Sequence, residues 1–169
     1  MSKRFETLVV AYQDRLFSYA TRLLTSPGEA QEVVQDVLLK FWDHHVRLSD
    51  EAALPWLLRV TRNACLDVLR KRTRERNYAM AAGADWEEMA QLPRTDEVVE
   101  RTDFRVHLEA AVAELDEPYR SLIVLREMQG HSYKDICTIL DLPMAQVKSY
   151  LHRARKRLRH KLREYAPDE

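Results

Sequence analysis

The sequence predicts an all-α protein: two small helical domains joined by a flexible acidic linker, the second a helix-turn-helix. Three observations lead there. Glycine is scarce, at 3 of 169 residues, while Leu, Ala, Arg and Glu are common, a bias toward helix. Apolar residues recur at three-four spacing in successive segments. Charge is segregated: the formal net charge is +0, yet the chain runs basic, then acidic, then basic. The predicted boundaries are 1–76 for the first domain, 77–99 for the linker and 100–169 for the second domain.

The first helix is expected from Lys3 to Leu24, with Phe5, Leu8, Val9, Tyr12, Leu16, Ala20, Leu23 and Leu24 on one face. It stops at "TSPGEA". Ser26 is a natural N-cap there, Pro27 fits the first helical position, and Glu29 completes a capping box. The second helix then runs from Pro27 to His44 on a stripe of Ala30, Val33, Val34, Val37, Phe41 and Trp42. "HHVRLSDEAALP" reads as a loop with room for one short turn after Ser49, and His44 and His45 as surface histidines. The third helix is "PWLLRVTRNACLDVLRKRTRER". Leu57, Val60, Ala64 and Val68 share its core face, while Trp56, Arg59, Asn63, Asp67, Arg70 and Arg74 gather on another. Solvation explains the arginines but not Trp56 beside Asn63.

From Asn77 the chain turns acidic and loses its stripe, which reads as a linker with Trp86 and Met89 as docking points. The second domain opens with Phe104, Leu108, Ala111, Val112 and Leu115 on one helix. Tyr119, Leu122, Ile123 and Met128 form the next, closed by Gly130. "SYKDICTIL", "DLP" and "MAQVKSYLHRARKRL" then supply a short helix, a tight turn and a long basic helix. That is the helix-turn-helix layout. Val147, Leu151, Ala154, Leu158 and Leu162 would seat the long helix on the core, leaving Ser149, His152, Arg153 and Lys156 opposite. Lys148 to Arg163 contains no acid. Such a face suits a major groove, with Arg153 on guanine edges and Arg155, Arg157 and Arg159 on phosphates.

Other function classes find little support. The chain has no phosphate-binding glycine loop, nucleophile elbow or His/carboxylate set at metal spacing, so no enzyme, cofactor or metal is expected. Cys65 and Cys137 are far apart and read as reduced, buried thiols. No apolar run approaches the ~20 residues of a membrane span, and the amphipathic start does not read as a signal peptide. A cytoplasmic protein without membrane insertion is expected. One reading of these residues is a helix-turn-helix regulator that binds duplex DNA by itself.

Three stretches resemble the extracytoplasmic-function group of bacterial sigma factors. "FETLVVAYQDRLFSYATRLLTSPGEAQEVVQDVLLKFW" is similar to the first helices of the family's region 2. "LPWLLRVTRNACLDVLRKR" is similar to its promoter-melting helix, and "LDEPYRSLIVLREMQGHSYKDICTILDLPMAQVKSYLHRARKRLRHKL" to region 4. The resemblance implies a factor that binds core RNA polymerase, recognises −35 and −10 promoter DNA and helps open it. It places Glu32, Gln35, Asp36 and Trp42 at the polymerase. Trp56, Arg59, Arg62, Asn63, Asp67 and Arg70 would meet the melted −10 non-template strand, with the loop Val46 to Pro55 helping to pocket a flipped base. Lys148, Ser149, His152, Arg153 and Lys156 would meet the −35 duplex. A cognate anti-sigma factor is a further partner the resemblance suggests, and the acidic linker either enters a polymerase channel or serves as a tether. The chain departs from the family pattern at Leu58, where tyrosine is frequent, and at Asp141, where glycine is common. It also departs at Met144-Ala145 and at Tyr150, where arginine is usual and a backbone contact is therefore in question.

Overall fold

The computed structural model describes residues 2–83 and 102–163. The described residues form helices, turns and loops without strand. α1 spans Lys3–Leu24 and α2 Pro27–His44. A 3₁₀ turn over His45–Arg47 leads to α3, Asp50–Ala81. α4 is Thr102–Ala113 and α5 Tyr119–Ile123, prolonged by a π turn over Val124–Met128. α6, Tyr133–Leu140, and α7, Met144–Leu162, complete the helix-turn-helix.

Local chemistry explains several helix ends. The Ser26 hydroxyl accepts from Glu29 N at the start of α2, with Pro27 in the first turn. Ser132 caps α6, accepting from Asp135 N at 3.1 Å and donating to the Asp135 carboxylate at 2.7 Å. Between α6 and α7, Asp141 takes the left-handed conformation at φ 55°, the geometry that makes glycine common there. Gly130, at φ 73°, closes the π turn.

Two expectations about α3 are corrected. The helix begins at Asp50, capped by the Ser49 hydroxyl, so the second half of the expected loop is helical. Pro55 lies inside it. Its missing N–H would have bonded to the carbonyl of Glu51, an exposed residue in the first turn that water can serve. At its other end α3 continues to Ala81, five residues into the stretch read as linker. Ala82 and Gly83 follow as a turn, and residues 84–99, with Trp86 and Met89, lie outside the described residues.

The buried face of α3 is also rotated. It consists of Ala53, Leu57, Leu58, Thr61 and Cys65, while Val60, Ala64 and Val68 are only partly covered. The cause is a second partner. α3 packs on α1 and α2, as its own domain requires, and also on α6 of the other domain. Tyr19, left off the expected stripe of α1, is fully buried for a related reason: its hydroxyl reaches Ser121 of α5. The two helical units are docked, and their buried residues join in one apolar cluster. Phe104, expected in the core of α4, is instead 46% exposed. Of the cysteines, only Cys65 is fully buried; both are free thiols.

Candidate nucleic-acid and polymerase interfaces

On α2, Glu32, Gln35 and Asp36 are exposed, and Trp42 is 41% exposed. They follow three-four spacing, so they share one side of the helix. Leu39, passed over in the sequence, lies three residues beyond Asp36 on that side and is 69% exposed. An acidic surface holding a bare leucine and a tryptophan suits a partner that is both basic and apolar. Trp42 is held by its neighbours: it meets Phe5 edge-on at 4.9 Å and stacks on His45 at 5.2 Å.

The turn after α2 is more ordered than expected. His45 is no surface residue; it is 5% exposed, and its Nδ1 lies 2.6 Å from the Trp42 carbonyl. His44, though exposed, stacks on Trp56 at 5.1 Å. Trp56 also meets Phe41 at 5.9 Å, so it is an anchored ring with part of its surface free. Arg4 clamps this turn from α1. Its guanidinium donates to the carbonyls of His45 and Leu48 and to Asp50 Oδ1, the last at 2.8 Å. One planar fork thereby ties α1 to the residues that lead into Trp56.

Along α3, Arg59, Asn63, Asp67 and Arg70 are exposed on the stripe that starts at Trp56. Asp67 and Arg70 pair at 2.8 Å. Arg62 does not join them. At 3.6 residues per turn it lies about 100° from the stripe, and it points into the junction between the units. There its Nη2 meets Glu117 Oε2 at 3.1 Å, and the two side chains are 16% and 19% exposed. Arg59 reaches Asp141 in the helix-turn-helix turn at 3.4 Å.

The junction is polar at its centre. The Tyr19 hydroxyl donates to Ser121 Oγ at 2.9 Å, and Ser121 donates onward to Glu117 at 2.7 Å. Arg62 Nε adds contacts of 3.2 Å to Glu117 and 3.3 Å to Ser121. Burial, then the Glu117 charge, raises the Tyr19 phenol far above its usual range and pushes the nearby Cys65 thiol up to about 12. Arg120 bridges the units as well, donating to the Leu23 carbonyl at the end of α1 at 2.8 Å and to Leu115 and Ala113. Burial lowers its pKa, an effect opposed by Glu117 and Asp116.

On α7, Val147, Leu151 and Ala154 are buried, and Lys148, Ser149, His152, Arg153 and Lys156 are exposed. Gln146, unnoticed in the sequence, is exposed three residues before Ser149 and seven before Arg153. Glutamine at the first turn of such a helix can pair with adenine edges. The flanking arginines divide. Arg155 is held by Glu127 at 2.6 Å and Arg157 lies over Tyr119 at 4.3 Å, so these two brace α7 against its own domain. Tyr150, the replacement for a usual arginine, packs on Tyr119 at 5.5 Å. No cluster of metal-ligating side chains and no helix long and apolar enough to cross a membrane occurs among the described residues.

Comparison with known proteins accounts for both units. Residues 8–75 match the model of Sigma-70 region 2, and residues 105–158 that of Sigma-70 region 4. The RNA polymerase sigma-H factor of Pseudomonas aeruginosa is 31% identical over 161 residues, spanning 91% of this chain and 83% of that protein. The ECF RNA polymerase sigma factor SigE of Mycolicibacterium smegmatis is 27% identical over 97% of this chain, which spans 63% of that relative's length. Among solved structures, the sigma factor RpoE in complex with the anti-sigma factor NepR, from Bartonella quintana, superposes with a TM-score of 0.75. It is 28% identical, over 96% of this chain and 98% of that one. With regions 2 and 4 matched in order and a relative 31% identical across 91% of this chain, the chain belongs to the sigma-70 family, as an extracytoplasmic-function RNA polymerase sigma factor.

Proposed function

We propose that this sigma factor works through three separate surfaces and no catalysis of its own. The acidic side of α2, with Glu32, Gln35, Asp36, Leu39 and Trp42, docks on core RNA polymerase. The stripe of α3, with Trp56, Arg59, Asn63, Asp67 and Arg70, receives the melted −10 non-template strand. Unpaired bases present π-faces to Trp56 and edges to Asn63, while arginines hold the backbone. Arg62 joins this set only once it is freed from Glu117. The outer face of α7, with Lys148, Ser149, His152, Arg153 and Lys156, reads the −35 duplex. The working units are 1–76 and 100–169, with 77–99 as the connection, and the factor acts in the cytoplasm. An anti-sigma factor is the inhibitory partner, by analogy with the RpoE–NepR complex.

The observation that carries this reading is the aromatic-amide-arginine stripe on α3 together with an exposed basic face on α7. A duplex-only regulator needs the second and has no use for the first. Run-off transcription with purified core polymerase over a random promoter library tests it. Start sites sharing a two-part upstream motif are expected; absence of core binding and of any motif would overturn it.

A further inference from the structure

Three aromatic rings beside the α3 stripe form a series that runs out of the core. Phe41 is fully buried, Trp56 is partly buried and lies 5.9 Å from it, and His44 is exposed and stacks on Trp56 at 5.1 Å, their planes 29° apart. The outermost ring of the series is therefore the imidazole. That imidazole is fixed in place. Its Nδ1 lies 2.8 Å from the Lys40 carbonyl. A carbonyl oxygen only accepts, so Nδ1 carries the proton, and the bond sets the angle of the ring. Two residues beyond Trp42, His44 is turned about 200° around α2 from it. It lies away from the side proposed to meet polymerase and against the start of α3.

We infer that His44 is a strand-binding residue, the outer platform on which one unpaired −10 base stacks. The inference rests on the proposed −10 role of α3 and adds a residue of α2 to that site. A ring held on one face by a tryptophan and at one edge by a backbone carbonyl has lost its rotamer freedom before any base arrives. Stacking on it then costs little further ordering. The face turned from Trp56 is available, and every base offers a π-face to match it. The surroundings suit the strand that carries such a base. Lys40 and Arg47 are exposed within four residues of His44, and Arg59 follows Trp56 by about one helical turn. Their charges can meet phosphates on either side of the stacked base. Stacking tolerates any base, so His44 contributes affinity at one position rather than choice among bases there.

The test uses the holoenzyme, this full chain with core polymerase, on a forked template whose single-stranded −10 segment carries the sequence found by run-off selection. Abasic sites replace its bases one at a time. His44→Ala should weaken fork binding about tenfold, within the range of one lost base stack, with core affinity and helical circular dichroism retained. At one position only, the abasic site should cost the unsubstituted holoenzyme a similar factor and the His44→Ala holoenzyme nothing further. His44→Phe, which keeps a flat ring, should recover most of the binding. The inference is overturned if His44→Ala loses nothing, if its loss multiplies with the abasic loss at every position, or if His44→Phe binds as poorly as His44→Ala. Should His44→Ala misfold or fail to bind core, the unsubstituted holoenzyme decides, through diethyl pyrocarbonate modification of His44 read by mass spectrometry. The single-stranded segment should slow that modification severalfold, and equal rates with and without it overturn the inference. Failure of the functional reading looks different, because then the unsubstituted chain neither binds core nor yields a start-site motif.

Discussion

Tyr19 and Ser121 offer a direct measure of how firmly the units dock. Each belongs to a different unit, both are fully buried, and their hydroxyls lie 2.9 Å apart. Tyr19→Phe removes one neutral hydrogen bond while keeping the ring in place, and should cost about 1 kcal/mol. Ser121→Ala does more harm. It takes away the acceptor of Tyr19 and a donor to the Glu117 carboxylate, and leaves the Tyr19 hydroxyl buried without a partner. An orphaned buried group alone costs about 1–3 kcal/mol, so a total near 3 kcal/mol is expected. In the double variant there is no hydroxyl left to orphan. Tyr19→Phe should therefore be neutral or mildly stabilising in the Ser121→Ala background, a coupling of about 1–2 kcal/mol. Urea unfolding followed at 222 nm measures this; with a slope of about 2 kcal/mol per molar, each kilocalorie moves the midpoint by about 0.5 M. If Tyr19→Phe costs the same in both backgrounds, the hydroxyls do not meet in solution and the docked arrangement is wrong.

Arg4→Ala should slow promoter opening several-fold, read as permanganate reactivity of −10 thymines, without weakening core binding; Arg4→Lys should not rescue it, because an ammonium cannot reach three acceptors as one planar fork. Lys148→Ala and Lys156→Ala should each lower the salt dependence of promoter binding by about one in the log–log slope, as lost phosphate contacts do. Arg155→Ala should leave that slope unchanged, since its guanidinium is held by Glu127; an equal drop would show that it reaches DNA. Stability should fall with rising pH above about 9. The folded state keeps Cys65 protonated up to about 12 from an ordinary 9.0, so its contribution is full below 9.0 and is lost as pH climbs through 12. Cys65→Ala should flatten that part of the urea-midpoint profile. His131 works in the opposite sense. Burial, then Arg15, lowers its pKa below 6.5, so acid destabilises the fold as pH drops below that value, and His131→Gln should reduce the loss.

Features set by neighbours in the chain were readable in advance. The spans of α1 and α2, the Ser26 and Ser132 caps and the left-handed Asp141 all follow from local chemistry. The start of α3 was not, because Pro55 looks like a helix boundary unless Ser49 is weighed as the cap one and a half turns earlier. Docking between the units is written in no local pattern. Tyr19, Leu58, Thr61 and Cys65 fall just off the stripes that intradomain packing demands, and each is fully buried. Arg62 is the informative case within the site. Helical arithmetic alone sets it aside from Trp56, Asn63 and Asp67, so its true neighbour, Glu117, could only lie on another element. His45 hides similarly: a histidine after a helix reads as solvated until three aromatic rings close around it.

The neutral net charge acquires a structural meaning from these pairings. Many of the chain's cations are answered by an acid of another element: Arg22 by Glu109, Arg59 by Asp141, Arg62 by Glu117, Arg155 by Glu127 and Lys161 by Glu114. None of these carboxylates takes Lys148, Arg153 or Lys156. The exposed outer face of α7 therefore stays positive, while Arg59 and Arg62 of α3 are each paired with a carboxylate. A polyanion approaching the molecule meets exposed positive charge on that face of α7, the surface proposed above to read double-stranded DNA. Exposed pairs such as Arg59–Asp141 contribute little stability on their own. The buried Tyr19–Ser121–Glu117–Arg62 set holds the junction more firmly, because breaking it would leave polar groups buried without partners.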